Sequence, residues 1–237
     1  MGSIELLQWD SNFFNIKIGK CTILHESSEV HLLELLQAAQ QDNYKLLYLF
    51  SDPNISIPSE TLDLFKGDLV DTKIIFDKRT MKSKTSNSDI ISYRSSSISD
   101  ELLQLALLSG QYSRFNTDIR FSADSFKRMY GEWLEKSVSR KIANEVFVYK
   151  KGNNIVGFVT ISFIDNIGTI GLIAVDPSCQ GQHIGKALLQ KASDFLHSSL
   201  VPQIQVATQH KNIVAYNFYL RNDFTIRSEQ DIYHFSL

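Results

Sequence analysis

One stretch constrains the fold more than any other. An apolar strand, Thr169–Val175, runs through Asp176-Pro177 into a loop carrying Gly181 and Gly185, and a helix begins near Gly185 and continues to about Leu196. A strand that turns through glycines into a helix aims several backbone N–H groups into one concavity at the helix N-terminus. The helix adds the equivalent of about half a positive charge there, and its first four amides lack intrahelical partners, so the place suits a phosphate. Glycine pairs also occupy such turns for structural reasons alone, so the neighbouring sequence has to decide. A Walker loop needs Lys followed by Ser or Thr, whereas Gly185-Lys186 leads to Ala187. A Rossmann unit needs a parallel βαβ arrangement. Here Glu145–Tyr149 and Ile155–Phe163 flank a tight turn at Lys151-Gly152-Asn153-Asn154, which reads as an antiparallel hairpin.

The rest of the chain reads as alternating strands and helices. Strand Lys17–Leu24, a helix about Ser28–Gln41, and strands Lys45–Phe50 and Leu69–Phe76 make a small α/β unit. The polar run from Lys78 to Asp89 offers almost nothing to a core and is the candidate linker, which gives a first domain over 1–80, a linker at 81–89 and a second domain over 90–237. After the linker come strand Ile90–Arg94, a helix through Leu108 capped by Ser99 with Asp100, and a helix from about Ser122 with Phe126, Met129, Trp133 and Val138 at helical spacing. Beyond the glycine loop lie strand Ile204–Thr208, a helix about Ile213–Asn222, and a last strand pair around Phe224–Ile226 and Asp231–Ser236. The expected class is therefore mixed α/β (α+β) with a mostly antiparallel twisted sheet.

Bulk chemistry closes several avenues. A net charge of -2 and a pI near 6.3 argue against nucleic acid as the partner, since phosphate neutralisation calls for a basic surface. Cys21 and Cys179 are far apart, and the six histidines show no i, i+4 ligand pair, so neither a disulfide framework nor a metal is expected. The N-terminus lacks the basic patch and apolar stretch of a signal peptide, and no apolar run approaches the ~20 residues that span a bilayer. The reduced cytosol, without membrane insertion, is the expected setting. The sequence allows a homodimer without requiring one.

Val175-Asp176-Pro177 followed by Gln180-Gly181-Gln182-His183-Ile184-Gly185-Lys186 resembles the GNAT family of N-acetyltransferases, whose pattern is Val-Asp-Pro, then Arg/Gln-x-x-Gly-x-Gly/Ala opening a helix. His183 stands where that family most often has glycine. The stretch Asn212-Ile213-Val214-Ala215-Tyr216-Asn217-Phe218-Tyr219 with Phe224 resembles its second signature, Asp223 occupying a glycine position. The resemblance implies acetyl-coenzyme A as co-substrate. Its pantetheine and acetyl groups would meet the amides of Leu172, Ile173, Ala174 and Val175, with Ile173 as oxyanion donor, and its pyrophosphate would lie on Gln180–Lys186. It further implies that Asn212 and Phe218 contact the cofactor and that Tyr219 acts as general acid, a phenol with ordinary pKa about 10 being protonated at neutral pH. By helical spacing alone, Tyr216 or Phe218 could take the packing role that competes with this assignment.

Over nearly the whole chain the sequence is similar to the dTDP-fucosamine N-acetyltransferases, which finish a nucleotide-linked 4-amino sugar for surface polysaccharides. The landmarks are Trp9-Asp10-Ser11-Asn12-Phe13-Phe14, Leu69-Val70-Asp71, Ser113-Arg114-Phe115, the helix Phe126–Val138 and Val206-Ala207-Thr208-Gln209. A dTDP-linked amine needs cations for its diphosphate and an apolar shelf for its ring. Arg114 and Arg120 are candidates for the first, and Phe14 and Phe115 for the second. The position where those enzymes hold a glutamate that takes the amine's proton is Asp71 here, one methylene shorter.

Overall fold

The computed structural model describes residues 3–23, 29–83 and 87–237. Leu24 and Ser28, at the expected ends of the first strand and helix, and the centre of the candidate linker lie outside them. The chain divides into two compact units, Met1–Ile74 with Gln209–Lys211 and Ser228–Leu237, and Ile75–Thr208 with Asn212–Arg227.

The first unit contains β1 (Glu5–Leu6), α1 (Gln8–Phe14), β2 (Ile18–Ile23), α2 (Glu29–Gln41), β3 (Leu46–Ser51), α3 (Ser59–Leu64) and the start of β4 (Gly67–Arg79). The second holds the end of β4 and β5 (Ile90–Ser92), α4 (Asp100–Ser109), α5 (Arg114–Thr117), α6 (Ala123–Val138), β6 (Glu145–Lys151), β7 (Asn154–Ile164), β8 (Ile167–Val175), α7 (Ile184–Ser198), β9 (Gln203–Gln209), α8 (Ile213–Leu220) and the start of β10 (Thr225–Ser236).

In the first unit β1 runs antiparallel to β2, β2 parallel to β3, and β3 antiparallel to the end of β10, with Ile232 opposite Phe50 and Phe235 opposite Leu47. Apolar residues at helical spacing on α2, Leu32, Leu35, Leu36 and Ala39, close over Leu47, Leu49, Tyr233 and Phe235. Cys21 lies in this cluster, and burial pushes its thiol up to about 12, which leaves it an inert packing group. Each fully buried Leu or Phe of such a core contributes roughly 2–3 kcal/mol.

In the second unit β5, β6, β7 and β8 follow one another antiparallel, and β9 then joins β8 in parallel. The expected mixed, mostly antiparallel class is what the strands form. The hairpin turn comes at Gly152, whose φ of 60° is the left-handed conformation such a turn requires. Ser99 and Ser122 cap α4 and α6 by accepting the amides of Leu102 and Ser125. Helix α6 buries Phe126, Met129, Tyr130, Leu134 and Val138 along one stripe, and α7 buries Ile184, Leu188, Leu189, Ala192 and Leu196.

Three expectations need correction. The two last strands are one, because Ser228-Glu229-Gln230 carries no residue that forces a turn and the backbone stays extended through it. Residues 228–237 belong with the first unit, since from Asp231 onward they pair with β3. The polar run after Phe76 is anchored in the second unit over its described part. Lys78 and Arg79 complete β4, the Thr80 amide donates to Pro202, the Met81 amide to the Ser193 hydroxyl, and the Ser83 amide to the Asp194 carboxylate. These backbone amides are satisfied by partners in the second unit.

Candidate active site

In the second unit the sheet opens between β8 and β9. The parallel ladder of β8 and β9 runs from Ile167 opposite Gln203 to Ile170 opposite Val206 and stops, although β8 continues to Val175 and β9 to Gln209. The last five residues of β8 therefore border a seam on the side that β9 has left.

A β-bulge decides which groups face that seam. On one side of it Ile161 opposes Ile170, and on the other Val159 opposes Ile173, so β8 holds one residue more than β7 between the two pairs. Beyond the bulge the Asp176 amide donates to the Val156 carbonyl. Antiparallel bonding alternates, so Ala174 also bonds toward β7, while Ile173 and Val175 turn their amides to the seam. Had β8 kept the register of Ile161 and Ile170, Ile173 would lie opposite Phe158 and lose its amide to the ladder. Opposite the bulge lies Thr160, 2% exposed, whose hydroxyl oxygen accepts the Leu172 amide at 2.8 Å.

At the end of β8 the chain makes a 3-10 turn over Pro177–Cys179, capped by Asp176, whose carboxylate accepts both the amide and the hydroxyl of Ser178. Those two bonds hold the Asp176 carboxyl below its ordinary range. Gln180 is extended, Gly181 has φ 76°, and His183 has φ 61° at the N-cap of α7. No heavy atom lies within 4 Å of where a Gly181 β-carbon would stand, so the loop is open above that residue. Gln180, Gly181, Gln182, His183 and Lys186 are exposed, Ile184 is buried under the helix, and Lys151 donates to the Gln182 side chain at 2.7 Å. His183 and Lys186 also line a depression of about 470 Å³ with Gln190 and Lys191. The loop thus offers free amides at a helix N-terminus, the donor set an anionic pyrophosphate needs.

Helix α8 comes against α7 at Gly185, where a β-carbon would stand 3.1 Å from the Phe218 ring. A side chain there would press on that ring by a few tenths of an ångström. Asn212 caps α8, its side-chain oxygen accepting the Ala215 amide at 3.1 Å. Tyr219 is 3% exposed and surrounded by the rings of Phe76, Phe218 and Phe224 at centroid distances of 5.4–5.6 Å, and burial pushes its phenol well above the ordinary range. Tyr216, more open, meets Phe76 edge-on.

The four substrate candidates divide. Arg114 lies over the Phe115 ring at 4.3 Å. Phe115 is buried against Phe121 and Trp133. Arg120 bonds the buried Asp118 carboxylate at 3.0 Å, which ties it to its own loop. Phe14, in α1 with its ring edge-on to Phe13, and Asp71, buried in β4, belong to the first unit. Among the described residues no group of His, Cys, Asp and Glu could hold a metal, and no helix is long and apolar enough to cross a membrane.

Thr160 belongs to no motif in the sequence. Its only sign was a hydroxyl in the otherwise apolar run Ile155–Ile161. The same holds for the buried Glu145. Its carboxylate gathers Arg140, Arg94, the Ser92 hydroxyl and the Val146 amide at the junction of α6 and β6.

Residues 114–224 match the Acetyltransferase (GNAT) family. The spore coat polysaccharide biosynthesis protein SpsD of Bacillus subtilis (strain 168) is 24% identical over 135 residues, 57% of this chain and 46% of that protein. Streptothricin acetyltransferase A of the same organism is 30% identical over 111 residues, 46% of this chain and 64% of that protein. The chain thus spans about half the length of one relative and under two thirds of the other. A GCN5-related N-acetyltransferase from Sphaerobacter thermophilus has the same fold, with a TM-score of 0.54 at 12% identity over 92% of this chain and 73% of that one.

Proposed function

We propose that this chain, which carries an acetyltransferase domain of the GNAT family at residues 114–224, is an acetyl-coenzyme A-dependent N-acetyltransferase whose acceptor is the amine of a nucleotide-linked 4-amino sugar. The single observation that carries the transferase reading is the seam between β8 and β9, which leads into the amide-lined loop at the start of α7. A pantetheine arm is a chain of amides and can add itself to a strand edge. The free edge of β8 supplies donors and acceptors along its length, and the loop answers the pyrophosphate.

The chemistry follows from those positions. The Ile173 amide, fixed before any charge develops, stabilises the oxygen of the thioester as the amine attacks its carbon. The new C–N bond forms, the C–S bond breaks, and the nitrogen loses a proton. Tyr219 hydrogen-bonds the departing thiolate. Its raised pKa keeps the proton on the phenol until that charge appears, so it serves as a donor throughout the working pH range. In the same reading Asn212 and Phe218 flank the cofactor and Arg114 faces the sugar's diphosphate.

The acceptor rests on separate support, the similarity to a protein named for spore coat polysaccharide biosynthesis and the sugar-enzyme landmarks of the sequence. A second reading, acetylation of an antibiotic amine, is favoured by the 30% identity to streptothricin acetyltransferase A. A thiol-release assay with acetyl-coenzyme A against dTDP- and UDP-linked amino sugars, streptothricin and simple polyamines separates them. Release with a dTDP-amino sugar at the highest kcat/KM is expected. Release with streptothricin alone would establish the second reading, and release with no amine would remove the enzymatic one.

A further inference from the structure

We propose that Thr160 is the positioning residue of this site: its hydroxyl draws the Leu172 amide out of the β7–β8 ladder and so fixes the bulge that turns the Ile173 amide into the seam. The inference rests on the transferase reading for its catalytic meaning, though its geometry does not. Three observations carry it. The hydrogen bond is short for an amide to a hydroxyl, 2.8 Å, and wholly buried, so the Leu172 amide has an alternative partner to a ladder carbonyl. The register changes at that residue, from Ile161 opposite Ile170 to Val159 opposite Ile173, with Thr160 between them. A β-carbon on Gly171 would stand 2.9 Å from the Thr160 hydroxyl oxygen, so the absence of a side chain at 171 is what admits the hydroxyl.

The parity of the strand gives this bond its leverage. One extra residue in β8 moves every later amide to the opposite edge, so a single hydroxyl selects whether Ile173 donates to Phe158 or to whatever occupies the seam. Threonine suits the task because its branched β-carbon leaves few χ1 rotamers and the oxygen is held where the bulge needs it. Valine has the same shape without the acceptor. Thr160→Val therefore removes the bond while filling the same space, and Gly171→Ala displaces the same hydroxyl from the other side.

The test uses the full chain in five forms, wild type, Thr160→Val, Thr160→Ser, Gly171→Ala and the double variant Thr160→Val/Gly171→Ala. Hydrogen exchange of the Leu172 and Ile173 amides is followed by NMR in the free protein. Thiol release gives kcat and KM for acetyl-coenzyme A, and calorimetry gives the Kd of coenzyme A. In the wild type Leu172 is expected to be protected and Ile173 to exchange freely. In Thr160→Val either Leu172 loses at least tenfold of its protection or Ile173 gains it as the ladder straightens. There kcat falls at least tenfold while KM and Kd stay within threefold, Thr160→Ser restores most of kcat, and Gly171→Ala reproduces the valine variant. The double variant Thr160→Val/Gly171→Ala should be no worse than either single one, because both act on one bond. A Thr160→Val enzyme with kcat within twofold of wild type overturns the proposal, as does an equal loss in the serine variant. Should the wild type release no thiol with any amine, the functional reading fails by itself. The exchange arm then still decides, and unchanged Leu172 and Ile173 amides in Thr160→Val refute the positioning role.

Discussion

His183 and Asp223 carry β-carbons at φ of 61° and 64°, both at positions where the family patterns have glycine. A left-handed L-residue costs roughly 1–2 kcal/mol, part of which glycine gives back as unfolded-chain entropy. His183→Gly should therefore stabilise the protein by about 0.5–1 kcal/mol and raise Tm by roughly 1–4 °C in calorimetry. Both strained residues were marked in the sequence as departures from a pattern, but the strain itself needs backbone angles that no side chain reports. Tyr219 gives a second test. Its folded pKa is raised by burial, so the stability it contributes is complete below the unfolded value near 10 and is lost as pH rises toward the higher folded value. Urea unfolding between pH 8 and 11 should show an alkaline decline of at most about 1.4 kcal/mol per pH unit from this group, absent in Tyr219→Phe. The same substitution should lower kcat by about 10²-fold or more, the range of a lost proton donor, with coenzyme A affinity nearly unchanged. That Tyr219 was a donor candidate could be read from its motif. That Phe76 helps enclose it could not, because Phe76 is more than 140 positions away.

At the level of elements, Glu145 joins the end of α6 to β6. Its carboxylate takes Arg140, which turns back at φ 62° after the helix, together with Arg94, the Ser92 hydroxyl and the Val146 amide. Glu145 is buried, while Arg94 reaches solvent and can rehydrate when its partner is lost. Glu145→Ala should cost about 1–3 kcal/mol, the range for leaving buried hydrogen-bonding groups unpaired, seen as a loss of Tm in a melt followed by circular dichroism, and Glu145→Gln should cost less because it keeps an acceptor. The sequence disclosed the long helices and the hairpin through period and turn residues. It did not disclose α1, α3 and α5, which have seven, six and four residues and are too short to display a 3.6-residue repeat. The bulge in β8 was hidden for a different reason. It depends on a hydroxyl in one strand meeting a glycine in the next, a pairing that exists only once the register is known.

For the molecule as a whole, the decisive feature is that the first unit takes its last strand residues from the end of the chain. Ending the protein at Arg227 removes Ser228–Leu237 and strips β3 of the partner that covers Leu46–Ser51. Such a truncation should melt the first unit and expose an apolar strand edge, detected as rapid proteolysis within residues 3–74 and as aggregation. The second unit keeps its seam, loop and helices within Ile75–Arg227, and its far-ultraviolet signal should persist. The anchoring of the run after Phe76 was not legible in the sequence, because at Met81 and Ser83 it works through backbone amides that no side chain reports. The pairing of Leu46 with Ser236 spans 190 residues. At about 5–20 residues per second, a ribosome needs roughly 10–40 s to deliver the second after the first. For that interval β3 waits with one edge open, so the nascent first unit is the stage at which a chaperone or a neighbouring chain has its best opportunity to bind.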